Sequence, residues 1–440
     1  MIPVLIITYY WPPAGGPGVQ RILKFVKYLP QFGIQPHVLT IENGDYPAYD
    51  YSLTDEISDE IDVVKINGWE PYNSFRFFMR QKKKERIPVG YLIQSNKSFV
   101  NKILSWIRLN IFIPDGRLFL INPFYRCGKR LIEKENIKAI ISTGPPHSLH
   151  ISALRLQNKF HLPWIADFRD PWTKIFYYMN QKRSALTKKI DSYLERKIIL
   201  SANRVITVSP FLARQLQLSN IQNSVVTIFN GFDAEDFPEQ ISNTDNPKFQ
   251  IAYIGNFKSN QSIENLWLSL SELIADDRQF SNDLNLLFVG NVHTKVNEAI
   301  QSSGLSKHID QKDYVPHHEA ISYMQQASVL LFIVPNVVGN SGIITGKLFD
   351  YLAAQRPILA IGPVDGDASQ ILLKSVAGKM INPDNKFALK KKIELLYQLW
   401  RDDLLQEKIP EKRAINQFER RQQTKSLSNL INELCNNETN

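Results

Sequence analysis

A chain of 440 residues with 43% apolar and 22% charged side chains has the make-up of a globular protein of two or three ordinary domains. No run approaches the roughly 20 apolar residues that span a bilayer. The first apolar stretch, Ile2 to Trp11, has no basic flank and ends in Pro12-Pro13, so no secretory signal is expected there; Cys127 and Cys435 match no metal-ligand spacing, so the expected setting is a reducing cytoplasm.

The net charge of +9 is spread unevenly. Arg76 to Arg108 holds nine basic residues against the single acid Glu85, a local excess of +8 that accounts for nearly all of it.

Met1 to Tyr10 predicts a buried strand, WPPAGGPGVQR a loop, Arg21–Phe32 a helix and Gln35–Ile41 a second strand. This βαβ opening puts a glycine loop at the carboxyl end of the first strand, where doubly wound sheets hold ligands. Gly16-Pro17-Gly18 supplies the start of a dinucleotide fingerprint. Arg21 stands at its third glycine position, however, and Glu42 is only a loose match for its acid, which argues against a hydride-transfer site. Gly15 and Gly16 suit a close approach to a sugar or phosphate, or a plain tight turn.

Residues 43 to 125 are less regular and join the basic excess to aromatic character, including Trp69, Phe99, Trp106 and Phe112. FVNKILSWIRLNIFI, residues 99 to 113, has apolar positions at helical spacing with Lys102 and Arg108 between them. That mixture suits an anionic membrane surface or an acidic polymer. Nucleic acid is disfavoured because no reader module accompanies the charge. The plainer alternative is a helix packed on the core with a solvated lysine face.

From Arg130 the alternation resumes, with strands expected at Ala139–Ser142, Trp164–Ala166, Arg204–Val208 and Val225–Phe229. Polar clusters follow them: Thr143 to His147, Asp167 to Trp172 with Arg169, and Asn230 to Asp233. His147 and Asp167 fall on loops after two neighbouring strands and are expected to converge. Residues 236–248 are polar, proline-punctuated and aperiodic, as a linker is.

A second alternation begins with a strand at Phe249–Ile254, ending in Gly255, Asn256, Phe257 and Lys258, and a helix over Ile263–Ile274. Strands at Leu284–Val289 and Val329–Val334 follow, with helices reaching Gly304 and Gln326. Ser341 to Pro363 then reads as a glycine-rich entry at Thr345, Gly346 and Lys347, a helix from Leu348 to Ala354, and a buried strand Ile358–Ile361. Such a helix start offers unpaired N–H groups and a positive dipole end to an anion. Lys347 adds charge there, and Asp350 on the same face suits sugar or ribose hydroxyls. The alternative is an ordinary helix with Thr345 as N-cap and a solvated Lys347–Asp350 pair. A P-loop is excluded, because Ser341 and Leu348 occupy its obligatory Gly and Ser/Thr places. Asp365-x-Asp367 is read as a polar loop rather than a metal pair, and Ala388–Leu404 and Arg413–Leu434 as closing helices.

TYYWPPAGGPGVQR, GPPHSLH, PWIADFRDPW, IFNGFD, AYIGNF and GKLFDYLAAQRPILAIG together resemble the GT-B glycosyltransferases, within them the family 4-like group, over nearly the whole chain. The resemblance implies an α/β fold of two Rossmann-like doubly wound domains facing a cleft. Residues 1–235 would bind the acceptor and carry the insertion at about 43–125. Residues 249–410 would bind a nucleotide-sugar, and 411–440 would form a helix crossing back to the first domain. It implies no cofactor beyond a nucleoside diphosphate sugar as co-substrate, and no metal. By the same likeness Gly15 and Gly16, with Arg169 and Asn230, lie on the acceptor side. His147 and Asp167 line the reacting sugar and are the catalytic candidates. Gly255, Asn256 and Lys258 open the donor loop, Thr345, Gly346 and Lys347 meet the diphosphate, and Asp350 takes the ribose. Asn256 stands where the family usually has Arg, and Gly342 where its first glutamate falls.

The expected reaction is glycosyl transfer to a hydroxyl acceptor, retaining by family resemblance, in cell-surface polysaccharide or glycolipid assembly. The expected partners are the donor, a saccharide or lipid-linked saccharide acceptor, and an anionic surface met through residues 76–108, at the inner face of the cytoplasmic membrane. The rivals are a GT-B-fold sugar-nucleotide epimerase and a catalytically degenerate scaffold at the membrane.

Overall fold

A computed structural model of the chain describes residues 1–70, 99–175, 181–217, 225–237 and 247–436. Most of the basic segment and the middle of the expected linker lie outside the described residues. The chain divides into two compact units: Met1–Phe229 with Gln423–Asn440, and Asn230–Gln422.

The first unit is built on a seven-stranded, wholly parallel sheet of β1 (Ile2–Ile7), β2 (Ile34–Ile41), β3 (Asp62–Ile66), β4 (Ala139–Gly144), β5 (Trp164–Phe168), β6 (Arg204–Thr207) and β7 (Val225–Thr227), in the order β3-β2-β1-β4-β5-β6-β7. Central strands of such a sheet are covered on both faces, which is why Val4–Ile7 and Ala139–Ile141 are continuous apolar runs with almost no exposure. The order reverses between β1 and β4, so the loops after those two strands border the crevice where such sheets place ligands. The last helix, Arg420–Asn436, returns to this unit, and its Leu427, Ile431 and Leu434 complete the core.

The second unit has five parallel strands, β8 (Phe249–Ile254), β9 (Leu284–Val289), β10 (Ile309–Lys312), β11 (Val329–Ile333) and β12 (Ile358–Ile361), in the order β10-β9-β8-β11-β12. Its reversal point lies between β8 and β11, so the loop at Gly255 and the stretch leading to Gly346 leave neighbouring strands at the same edge.

Several expectations need correcting. Asp167 is not on a loop: β5 runs on through Phe168, because Asp167 pairs with Thr143 of β4 and Ile206 of β6. Asp367 is not in a turn but opens a helix, Asp367–Lys374, where it is buried. Residues 43–125 hold more regular structure than expected, namely β3 and the start of the helix Ile121–Glu135, while the helix Phe99–Asn110 lies in the stretch with helical spacing. The edge strand β10 and the helix Ala185–Ser201 are further elements the sequence reading lacked.

Candidate functional site

Two groups of side chains gather at the carboxyl ends of the strands, one in each unit. In the first, Pro17 starts the helix Pro17–Tyr28 at its first turn and Gly16 caps it with φ +111°, a conformation that favours glycine. Gly15 is held by its N–H to the Ala48 carbonyl, 3.0 Å away, and a Cβ on it would stand 3.3 Å from that of Asp50. The glycine loop is therefore latched to residues 48–50.

Arg169 reaches over this helix start. Its Nη2 donates to the Pro145 carbonyl at 2.5 Å, its guanidinium lies 5.7 Å from the Tyr10 ring centre, and a Cβ on Gly18 would fall 1.5 Å from its Nη1. Gly18, which looked like part of a dinucleotide fingerprint, makes room for an arginine. Burial holds that guanidinium below its ordinary pKa, offset by Asp167 and Asp170.

His147 stands at the N-cap of the helix Ser148–Phe160, stacked on Trp172 with ring centres 4.7 Å apart and planes 7° from parallel. The helix is capped from outside by Asp115, which accepts from the Ser148 N–H at 2.9 Å and the Ser148 hydroxyl at 3.0 Å. Burial first, then the charges His150 and Arg169 would place beside it, push the His147 pKa well below its usual value, so the ring is neutral. His150, stacked on Phe168 at 4.8 Å, is pushed down to about 3 by burial and Arg169.

Asp167 is fully occupied by its own unit. It accepts from Arg21 Nε at 3.1 Å and Nη2 at 3.0 Å, and from the Thr143 hydroxyl at 3.0 Å, with Arg21 and Asp167 both almost wholly out of solvent. Arg21 also donates to the carbonyls of Ile228 at 2.7 Å and Phe229 at 3.1 Å. This charge pair ties the first helix to β5 and to the chain after β7, just before Asn230. Reading the sequence missed it, since the partners are 146 residues apart.

In the second unit Lys347 is the centre. It is the second residue of the helix Gly346–Ala353, and its Nζ lies 3.8 Å from the centre of the Tyr253 ring. Gly255, with φ +104°, lets the lysine stem pass: a Cβ there would stand 2.8 Å from Lys347 Cε. The Tyr253 ring is fixed by Phe257 stacked on it at 4.1 Å and by its hydroxyl beside Gln261 Oε1 at 3.1 Å. The helix is tied to β8 by Tyr351, whose hydroxyl accepts from the Ile254 N–H at 2.9 Å.

Lys347 Nζ is buried and has no hydrogen-bond partner among the described residues. Burial, and then the repulsion of Lys258, push its pKa down to about 7. The Thr345 hydroxyl is likewise buried and unpartnered, so Thr345 stands at the N-cap without capping anything. Neither half of the plain-helix alternative holds: there is no cap from Thr345, and Lys347 forms no pair with Asp350. Asp350 instead lies in the field of His317, Arg420 and Asp236, and burial raises its pKa against the two cations. His317 is raised chiefly by its bond to Asp236, 3.6 Å away. Asn256 and Lys258 are exposed on the loop beyond Gly255. Among the described residues no group of three metal-ligating side chains comes together.

Residues 94–236 match the sequence family described as Glycosyltransferase Family 4. No curated protein matches the chain. Among solved structures, a sucrose-phosphate synthase from Thermosynechococcus elongatus superposes with a TM-score of 0.65 at 14% identity, covering 99% of each chain. A glycosyltransferase from Rickettsia africae ESF-5 gives 0.63 at 15% identity and 98% of each chain. A mutant of TarM from S. aureus, in complex with fondaparinux, alpha-GlcNAc-glycerol and UDP, gives 0.60 at 12% identity over 98% of this chain and 100% of that one. At these identities the likeness establishes a shared fold, the GT-B-like pair of parallel α/β sheets.

Proposed function

We propose that this chain, whose residues 94–236 match glycosyltransferase family 4 and whose fold is GT-B-like, is a glycosyltransferase that moves a sugar from a nucleoside diphosphate sugar to a hydroxyl acceptor. One observation carries the reading: the buried, unpaired ammonium of Lys347 at a helix N-terminus. A charge withdrawn from water without a partner is costly. A diphosphate supplies the missing anion, and the first N–H groups of the helix and the unpartnered Thr345 hydroxyl add donors. As the sugar–phosphate bond breaks, negative charge builds on the leaving diphosphate, and donors fixed before the reaction stabilise it at no reorganisation cost. Gly255 and Gly346 let the ligand's backbone contacts come close, while Lys258 and Asn256 flank the opening. Asp350 is the carboxylate for the ribose hydroxyls, with His317 and Arg420 opposing the rise in its pKa that burial causes.

The first unit takes the acceptor side through Gly15, Gly16, Arg169 and His147, and Asn230 follows directly on the end of its first stretch. Because Asp167 is engaged with Arg21, its part is to hold that framework, and His147, neutral and presented at a helix N-cap, is the group left to meet the sugar. Retention of configuration is what the family resemblance implies for this set. The acceptor is a lipid-linked saccharide at an anionic membrane face. Trp69, Ile103, Trp106, Ile111 and Phe119 present large apolar side chains to solvent within or flanking, in sequence, the +8 segment, the composition that binds lipid headgroups.

The decisive test is thermal stabilisation by UDP, GDP and ADP in wild type and Lys347→Met. A shift with one nucleoside diphosphate, lost in the variant, supports the donor site and names its base. Equal stabilisation of both proteins sinks it. Conversion of the nucleotide-sugar with no acceptor present would favour the epimerase instead.

A further inference from the structure

His147 and His150 each bury one ring nitrogen that has no partner, Nδ1 of His147 and Nε2 of His150. Both point at Gly144: a Cβ built on that glycine would stand 2.8 Å from His147 Nδ1 and 2.6 Å from His150 Nε2. The two atoms thus face one another across a residue without a side chain, yet they do not hydrogen-bond directly. Buried polar atoms are almost always satisfied, and a single water makes bonds to two to four such groups.

The hydrogen positions along this line follow from donors further in. Trp164 Nε1 is a donor only, and it donates to the Ser142 hydroxyl oxygen at 2.8 Å. Ser142 is wholly buried, and its other neighbour is His150 Nδ1 at 2.8 Å. If His150 Nδ1 carried the hydrogen, the serine hydroxyl hydrogen would have no acceptor, and His150 Nε2 would be a buried bare lone pair. If the serine donates to Nδ1, its own bonding is complete and His150 carries its hydrogen on Nε2, aimed toward His147. A water between the rings that accepts from His150 Nε2–H donates one of its own hydrogens to His147 Nδ1, so His147 accepts there and carries its hydrogen on Nε2. That atom lies on the small part of His147 that reaches solvent, since it is neither bonded nor among the buried unpartnered atoms.

We propose that Trp164, Ser142, His150 and one bridging water form a relay that fixes His147 as an Nε2–H donor toward a hydroxyl of the bound sugar, with His150 and Ser142 as positioning residues. Trp172, stacked on His147, holds the ring plane, and its own Nε1 is anchored on Asp191 Oδ1 at 2.5 Å. The relay rests on the glycosyl-transfer reading for its purpose, but its protonation pattern stands apart from that reading.

The test is ¹⁵N–¹H correlation spectroscopy of the full-length, ligand-free protein labelled at histidine. His147→Gln and His150→Gln assign the two rings. The expected result is the Nε2–H tautomer for both, unchanged between pH 6 and 8. In Ser142→Ala, the His150 Nδ1 resonance moves and His147 becomes a mixture of tautomers. An Nδ1–H tautomer or an imidazolium at His147 in the wild type overturns the proposal, whatever the variants do. Steady-state kinetics supply the second reading: His150→Ala lowers kcat about tenfold with KM unchanged, and His150→Gln, which keeps an N–H donor, restores most of it. Unaltered kcat in His150→Ala, with the tautomers as expected, would refute the positioning role alone. Loss of all transfer in the wild type, with the tautomers as expected, would refute the transfer reading and leave the relay.

Discussion

Lys347→Met keeps the side-chain stem that crosses Gly255 and removes only the charge, so it measures what the unpaired ammonium costs. The folded pKa falls from 10.5 to about 7. Below pH 7 the lysine is charged in both states and the folded state bears the full penalty. Between about pH 7 and 10.5 the unfolded chain binds a proton that the folded chain has released, so stability rises with pH across that window. A gap of ~3.5 pKa units at 1.36 kcal/mol each caps the penalty at about 5 kcal/mol. Lys347 as a whole is only half-buried, although its nitrogen is not solvent-accessible, and an effective dielectric well above that of dry protein lowers the figure to ~2 kcal/mol. For a unit of this size that is roughly 4–8 °C in Tm. The variant should therefore melt higher than the wild type at pH 6, with the gap more than halved at pH 9.5, read by differential scanning fluorimetry. A gap that is constant with pH, or a variant that melts lower at pH 6, refutes the reasoning. The same lysine makes a calorimetric prediction. At pH 8 it is mostly neutral, and a diphosphate that pairs with it draws a proton, so UDP binding by the wild type should take up close to one proton, measured from two buffers of different ionisation enthalpy. The variant should take up none.

Gly255→Ala forces a Cβ onto the lysine stem at φ +104°, and should cost about 1–3 kcal/mol of stability and weaken UDP-induced stabilisation; full nucleotide response would contradict the contact. Gly18→Ala should displace Arg169 and lower the transfer rate while leaving nucleotide stabilisation intact, because the two groups are in separate units. Asp167→Asn strips the buried Arg21 of its counter-charge and should lower stability by about 3–5 kcal/mol in urea unfolding; a change under about 1 kcal/mol would mean the pair is not the framework described here. Flotation with anionic vesicles at low salt should recover the protein, and Trp69→Ser with Trp106→Ser should reduce recovery; equal recovery of both proteins places any lipid contact elsewhere.

The central strands were legible because a parallel sheet covered on both faces demands unbroken apolar runs: β8 and β9 have the residue bounds their sequences suggest. The edge strands β3 and β10 were not, although the edge strands β7 and β12 were. β10 is Ile-Asp-Gln-Lys, half-solvated and without a pattern that separates it from a loop. The helix start was legible from Thr345-Gly346-Lys347, since glycine and lysine there have a local meaning. Asp167 was not, because its meaning is set by Arg21. Seen along the chain, that arginine only spoiled a glycine motif. The Lys347–Tyr253 contact was hidden for a related reason, as it depends on a positive φ at Gly255 that brings two distant segments together.

The division of the chain has a consequence for the order in which it is made. The second unit is one uninterrupted stretch, Asn230–Gln422, and can close as soon as it has left the ribosome. The first is begun earlier but is finished later, because Leu427, Ile431 and Leu434 are missing from its core until the whole second unit has been made. The segment that starts first is therefore the last to become stable. A chain cut short just before the final helix should contain a largely sound second unit and a first unit with a slot in its core, so loss of that helix is registered in the amino-terminal half.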